Sequence, residues 1–139
     1  MTVVREFHAK FGQDCPSAIP CPPAGDTVRL RMRLIREEYE EVMAELALLT
    51  KQMDADAVYG TMARLLKELA DLRYVLEGTA VAFALDIDGA FAETHRSNMS
   101  KLGVDGKPVY REDGKVLKGP WYTPADMSQF VYLHEGDSA

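Results

Sequence analysis

Two runs of apolar residues, each stepping by four and three, meet across a short polar turn, and that arrangement limits what this chain can fold into. The first run is Val28, Met32, Ile35, Tyr39, Val42, Leu46 and Leu49. The second is Val58, Met62, Leu65, Leu69, Leu72, Leu76 and Phe83, with Ala80 filling the intervening step. Steps of this size line one side of an α-helix, so each run predicts a long helix with a coiled-coil-like core stripe. The turn around residues 51–56 is short enough to force antiparallel return. The expected fold class is all-α, built on an antiparallel helical hairpin.

Flanking signals extend the reading. Residues 3–11 predict a short amphipathic helix with Phe7 and Phe11 on one side. Gly12 and the prolines at 16, 20, 22 and 23 then require an extended connector. Asp26 or Thr27 is expected to cap the first long helix, because a short side-chain oxygen satisfies free first-turn amides. A further helix is expected from about 87 to 102, continuing a four–three stripe through Ile87, Phe91, Thr94, Asn98 and Lys101. Its second half is polar, so Asn98 and Lys101 either meet a sugar or phosphate or simply reach solvent. In the tail, Asp105-Gly-Lys107 and Asp113-Gly-Lys115 are turn signals, too short to count as a structural repeat. Residues 109–111 and 116–118 can pair as a short hairpin. Gly119-Pro-Trp-Tyr122 predicts an ordered arm, since its aromatics call for burial. The expected organisation is one domain over 1–139: an N-terminal helix and Pro-rich connector (1–25), long helices (26–102) and a C-terminal arm (103–139).

Two acidic clusters accompany the stripes: Glu37, Glu38 and Glu41 form E-E-x-x-E, and Glu68 and Asp71 form E-x-x-D. Glu38 and Glu41 each precede a stripe residue, and so do Glu68 and Asp71. One residue turns a helix by about 100°, which puts both pairs at the edge of the buried face. In an antiparallel hairpin equal offsets fall on the same side. Opposed positions also share a constant sum of residue numbers, which sets Glu38 against Asp71 and Glu41 against Glu68, with the turn centred near Asp54. Carboxylates roughly 4–6 Å apart raise each other's pKa, and hard divalent cations relieve that cost through oxygen-only ligation. Glu37 and Glu45 are expected to add to the cluster. The competing reading is a solvated acidic face paired with Arg33 and Arg36.

Composition closes off other classes. A net charge of −6 disfavours a nonspecific nucleic-acid binder, which needs a basic surface. The apolar runs are too short and interrupted to span a bilayer, and the amino terminus shows no secretory pattern, so a cytoplasmic location is the expectation. Cys15 and Cys21 are too few for a disulfide framework and form no zinc pair; they read as free thiols in a packed loop. His8, His95 and His134 are too scattered for a metal triad. There is no P-loop, no dinucleotide fingerprint and no nucleophile elbow. A di-iron bundle would need E-x-x-H, which does not occur.

Taken together, Glu37-Glu38-Tyr39-Glu40-Glu41 and Glu68-Leu69-Ala70-Asp71 resemble the paired motifs of the all-α nucleoside triphosphate pyrophosphohydrolases. That superfamily includes MazG-like proteins, dimeric dUTPases and phosphoribosyl-ATP pyrophosphohydrolase. The downstream His95-Arg-Ser-Asn98-Met-Ser-Lys101 and Asp105–Lys115 are similar to its phosphoribosyl-ATP-pyrophosphohydrolase-like branch, and the resemblance runs from about residue 4 to 126. It implies the reaction NTP + H₂O → NMP + PPi. It further implies that Glu38, Glu41, Glu68 and Asp71 hold two or three Mg²⁺ ions, with Mn²⁺ able to substitute. Glu38, or Glu37 in its place, would orient or deprotonate the attacking water, and Asn98 and Lys101 would contact sugar or phosphate. The implied substrate is dUTP or another noncanonical nucleotide, with phosphoribosyl-ATP as the alternative; the implied assembly is a homodimer or a dimer of dimers. A non-catalytic helical interaction module remains the reading outside enzymes.

Overall fold

The computed structural model describes residues 3–16, 20 and 22–131. They form four α-helices: α1 (Val3–Lys10), α2 (Gly25–Leu49), α3 (Ala55–Ala82) and α4 (Ile87–Met99), followed by a 3₁₀ turn at Ser128–Phe130. No strand occurs among the described residues, and the fold is all-α. The chain divides into two compact units, Met1–Leu85 and Asp86–Ala139.

In the first unit α2 and α3 return on each other through residues 50–54, where the turn was expected. Asp54 caps α3, its Oδ1 accepting from the Ala57 amide at 2.8 Å. The expected cap of α2 is different. Its N-cap is Ala24, without side-chain support, directly after Pro22 and Pro23. Helical geometry therefore starts a residue before Asp26, which sits in the first turn, suits the positive end of the helix dipole and pairs with Arg29. The Thr27 hydroxyl donates instead to the Asp14 carboxylate.

The lane along which α2 and α3 meet also differs from the predicted stripe. Val42 of the stripe is buried, but so are Arg31, Thr61 and Gly78 beside it, while Met32, Tyr39, Leu46, Met62, Leu69 and Leu76 are exposed, Met32 by 59%. The contact runs about one residue to the side of the apolar lane. Glu38 and Glu68 thus sit partly buried within it rather than at its margin.

α1 closes one end of this unit against α3. Phe7 stacks on Phe11 at 4.3 Å and meets Tyr74 edge-on at 5.7 Å, and Val4 and His8 are buried. His8 shares a hydrogen bond with the Asp14 carbonyl at 2.7 Å, and Arg31 donates to Gln13 at 3.0 Å. Gly78 lets these side chains approach the α3 backbone closely, since a Cβ would lie 3.0 Å from His8 Nε2 and 3.1 Å from Arg31 Nη1 and both would have to shift. Cys15 is a free thiol beside Arg5; Cys21 and His134 fall outside the described residues.

In the second unit the buried side of α4 is not the predicted stripe. Phe91 is 75% exposed, and Ile87, Thr94 and Asn98 are exposed too. Ser97 is buried, and the arm bonds to α4 on that side. Ser97 Oγ donates to the Thr123 carbonyl at 2.9 Å, and Arg96 donates to Thr123 Oγ1 at 2.6 Å. An extended arm demands hydrogen-bonding partners rather than large apolar ones, which is why small polar residues line this face. The predicted hairpin is present as a single antiparallel bridge, Tyr110 to Val116, flanked by the Leu117 amide donating to the Val109 carbonyl at 2.7 Å. Both D-G-K segments adopt one turn: Asp105 and Asp113 each accept the amide two residues on, and Gly106 and Gly114 have φ of 73° and 82°. The segment does repeat structurally, because an Asx turn followed by a left-handed glycine needs only three residues. Trp121, expected to be buried, is 64% exposed in the chain.

Candidate metal centre

Because α2 and α3 are antiparallel, acids at matching positions face each other in sequence. Glu45 meets Arg64, whose Nε donates to both carboxylate oxygens at 3.1 Å. One turn along, Glu41 meets Glu68. Both contacts share the residue-number sum read from the sequence, and the next pair in that register is Glu38 and Asp71. Glu45 was expected to join the cluster; Arg64 neutralises it instead. Glu37 points elsewhere. With Arg29, Arg33, Arg36 and Glu40 it lines a groove of about 380 Å³ on another side of α2. Among the described residues neither Arg33 nor Arg36 forms an ion pair with the acids.

The group brought together is Glu38, Glu41 and Glu68, with one oxygen of each lying within 4.8 Å of the others. The hydrogen bond to Glu68, and then the Glu68 charge, hold the Glu41 carboxyl above its ordinary pKa. Burial raises Glu38, helped by the charges of Glu41 and Asp71. Glu38 Oε2 is buried with no hydrogen-bond partner, an expensive state for a carboxylate oxygen. Asp71 is turned toward Lys67, which contacts it at 2.8 Å and Glu68 at 3.2 Å. Those two contacts raise the Lys67 pKa.

These residues fit a divalent cation. All donors are carboxylate oxygens, one is orphaned and two share a contact that ionised groups would resist. Oxygens bound to Mg²⁺ at about 2.1 Å can be at most about 4.2 Å apart, so small side-chain rotations would close the group around one ion.

In the second unit Asn98 lies on α4 and Lys101 in the turn just past its end, and Lys101 Nζ donates to Asn98 Oδ1 at 2.7 Å. His95 is exposed. Sequence reading passed over Lys67 and Arg64. Both carried a signal: Lys67 stands four residues before Asp71, a helical ion-pair spacing, and Arg64 shares the hairpin register with Glu45.

The hairpin thus brings carboxylates from both of its helices into one cluster. The sequence pattern of phosphoribosyl-ATP pyrophosphohydrolase matches residues 4–98, and the chain belongs to that family. Its members are metal-dependent hydrolases of pyrophosphate bonds in nucleotide substrates, and the acidic cluster is present here. No curated protein matches the chain. No helix among the described residues is long and apolar enough to cross a membrane.

Proposed function

We propose that this protein cleaves the α–β phosphoanhydride of a nucleoside triphosphate, dUTP or another noncanonical nucleotide, giving the monophosphate and pyrophosphate in a Mg²⁺-dependent reaction. The observation that carries this reading is the convergence of Glu38, Glu41 and Glu68 across the hairpin, with a buried carboxylate oxygen left unpartnered. Glu38, Glu41 and Glu68, with Asp71, would hold two or three Mg²⁺ or Mn²⁺ ions. When bound, such ions neutralise the roughly four charges of a triphosphate and acidify a water. Glu38 would accept that water's proton through its buried Oε2, which has no hydrogen-bond partner among the described residues. Glu37, facing the arginine-lined groove, is the weaker candidate for that role. Asn98 near the end of α4 and Lys101 just past it would contact sugar or phosphate, the lysine through its charge and the amide through hydrogen bonds.

A homodimer, itself able to pair, fits the same hairpin. Met32, Tyr39, Leu46, Met62, Leu69 and Leu76 form an apolar lane that one chain leaves uncovered. Removal of noncanonical nucleotides would place the protein in the cytoplasm as a single-domain enzyme without nucleic-acid polymer or membrane partners. The second reading, phosphoribosyl-ATP pyrophosphohydrolysis, is favoured by the family's own substrate over residues 4–98. Against it stands the ordered arm after residue 98, which suits the dUTPase-like branch. A panel of (d)NTPs and phosphoribosyl-ATP with Mg²⁺, scored for pyrophosphate against single phosphate, decides the matter. Pyrophosphate from dUTP supports the proposal, and pyrophosphate from phosphoribosyl-ATP alone supports the second reading. Single phosphate alone rejects both, and no turnover leaves the helical interaction module.

A further inference from the structure

Lys67 stands on the second acidic motif in a way that helical propensity alone does not require. Its ammonium touches two acids at once, Asp71 at 2.8 Å and Glu68 at 3.2 Å. The Glu68 side chain is only 14% exposed, whereas that of Lys67 is 64% exposed, with solvent beside it. The nearby Arg64 is committed to Glu45 through both carboxylate oxygens. One exposed cation therefore pairs with the half of the cluster contributed by α3, while among the described residues Glu38 and Glu41 on α2 form no ion pair.

We propose that Lys67 is a resident counter-ion: it holds Glu68 and Asp71 in the metal-free protein and yields Asp71 when a divalent cation enters the cluster. This rests on the metal-centre reading above. A carboxylate oxygen that accepts from an ammonium is a weaker ligand for a dication, and two positive charges on one carboxylate repel. Entry of the ion must therefore break or weaken both Lys67 contacts. The lysine holds the α3 acids until a stronger cation displaces it. A plain surface ion pair at spacing i,i+4 would instead add the same small stability whether or not metal is bound.

Titration of the full-length protein with Mn²⁺ alone, followed by the paramagnetic signal of the free ion, tests this. Lys67→Met and Lys67→Gln should each bind Mn²⁺ about three- to tenfold more tightly than the wild type, the size expected when one or two exposed ion pairs no longer compete. Lys67→Arg, which keeps the charge, should stay within about twofold. Melting supplies an independent readout. Without metal, Lys67→Met should melt below the wild type, and saturating Mn²⁺ should close that gap, because the variant gains more from binding. Equal or weaker Mn²⁺ affinity in both neutral variants, or a melting deficit of the same size with and without metal, overturns the counter-ion role. If the wild type itself binds no Mn²⁺, the metal-centre reading falls and this inference falls with it. If the wild type binds and the neutral variants are unchanged, only the role of Lys67 fails.

Discussion

Glu41 on α2 and Glu68 on α3 bring their carboxyl groups into hydrogen-bonding contact across the hairpin, which holds the Glu41 proton above its ordinary range. A group with a raised folded-state pKa binds its proton more tightly folded than unfolded. Its ionisation thus costs stability, beginning near the ordinary value of 4.5 and complete above the raised pKa. Glu41→Gln removes that cost. In EDTA at pH 7 the variant should melt above the wild type, and the difference should vanish at pH 4, where Glu41 is protonated. A lower melting temperature at pH 7 would contradict the contact.

The arm has the opposite dependence. Glu93 accepts two hydrogen bonds from Arg96 at 2.7 Å and one from the Asp126 amide at 3.0 Å. Arg96, followed by that amide, pulls the Glu93 pKa down to about 2. A depressed carboxylate stabilises fully above its unfolded value of 4.5 and loses that contribution as pH falls toward about 2. The second unit should therefore loosen between pH 4.5 and 2. Trp121, the one tryptophan, lies in the arm and reports the change by fluorescence. Glu93→Gln should flatten the transition in that window.

At the end of α3, Ala84 has φ of 54°, with Leu85 donating to the Ala80 carbonyl at 2.8 Å and Ala84 to Val81 at 3.2 Å. This is a Schellman termination, which favours glycine at the left-handed position. An alanine there costs about 1–2 kcal/mol, against roughly 0.4–1 kcal/mol of extra unfolded-state freedom for glycine. Ala84→Gly should stabilise the protein by about 0.5–1 kcal/mol in urea unfolding. Destabilisation would show that the turn is not formed.

Four–three spacing made the hairpin legible, and the register followed from one turn near Asp54; the Glu45–Arg64 and Glu41–Glu68 contacts have that register. The contact lane was not legible. Apolar residues advertise burial, yet Arg31 and Thr61 are buried while Met32 and Met62 beside them are exposed. Arg31 can be buried because Gly78 makes room and Gln13 Oε1 accepts a hydrogen bond from its guanidinium; neither contact is local in sequence. The buried side of α4 was missed for a related reason: its partner is backbone, recognised by Ser97 and Arg96 through hydrogen bonds that leave no apolar period. Among the acids, Glu38, Glu41 and Glu68 come together, Asp71 is held by Lys67, and Glu37 and Glu45 lie elsewhere. Spacing placed the backbone positions; competing cations decided where the side chains went.

The central claim is that carboxylates from both helices bind one cation set. The direct measurement is Mn²⁺ titration of the wild type beside Glu68→Gln, a change of one charge on the α3 side of the contact. Micromolar to millimolar binding by the wild type and an affinity loss of about tenfold or more in the variant are predicted, the order expected when a charged oxygen ligand is removed. Wild-type affinity retained in Glu68→Gln, or no binding by either protein, would contradict it.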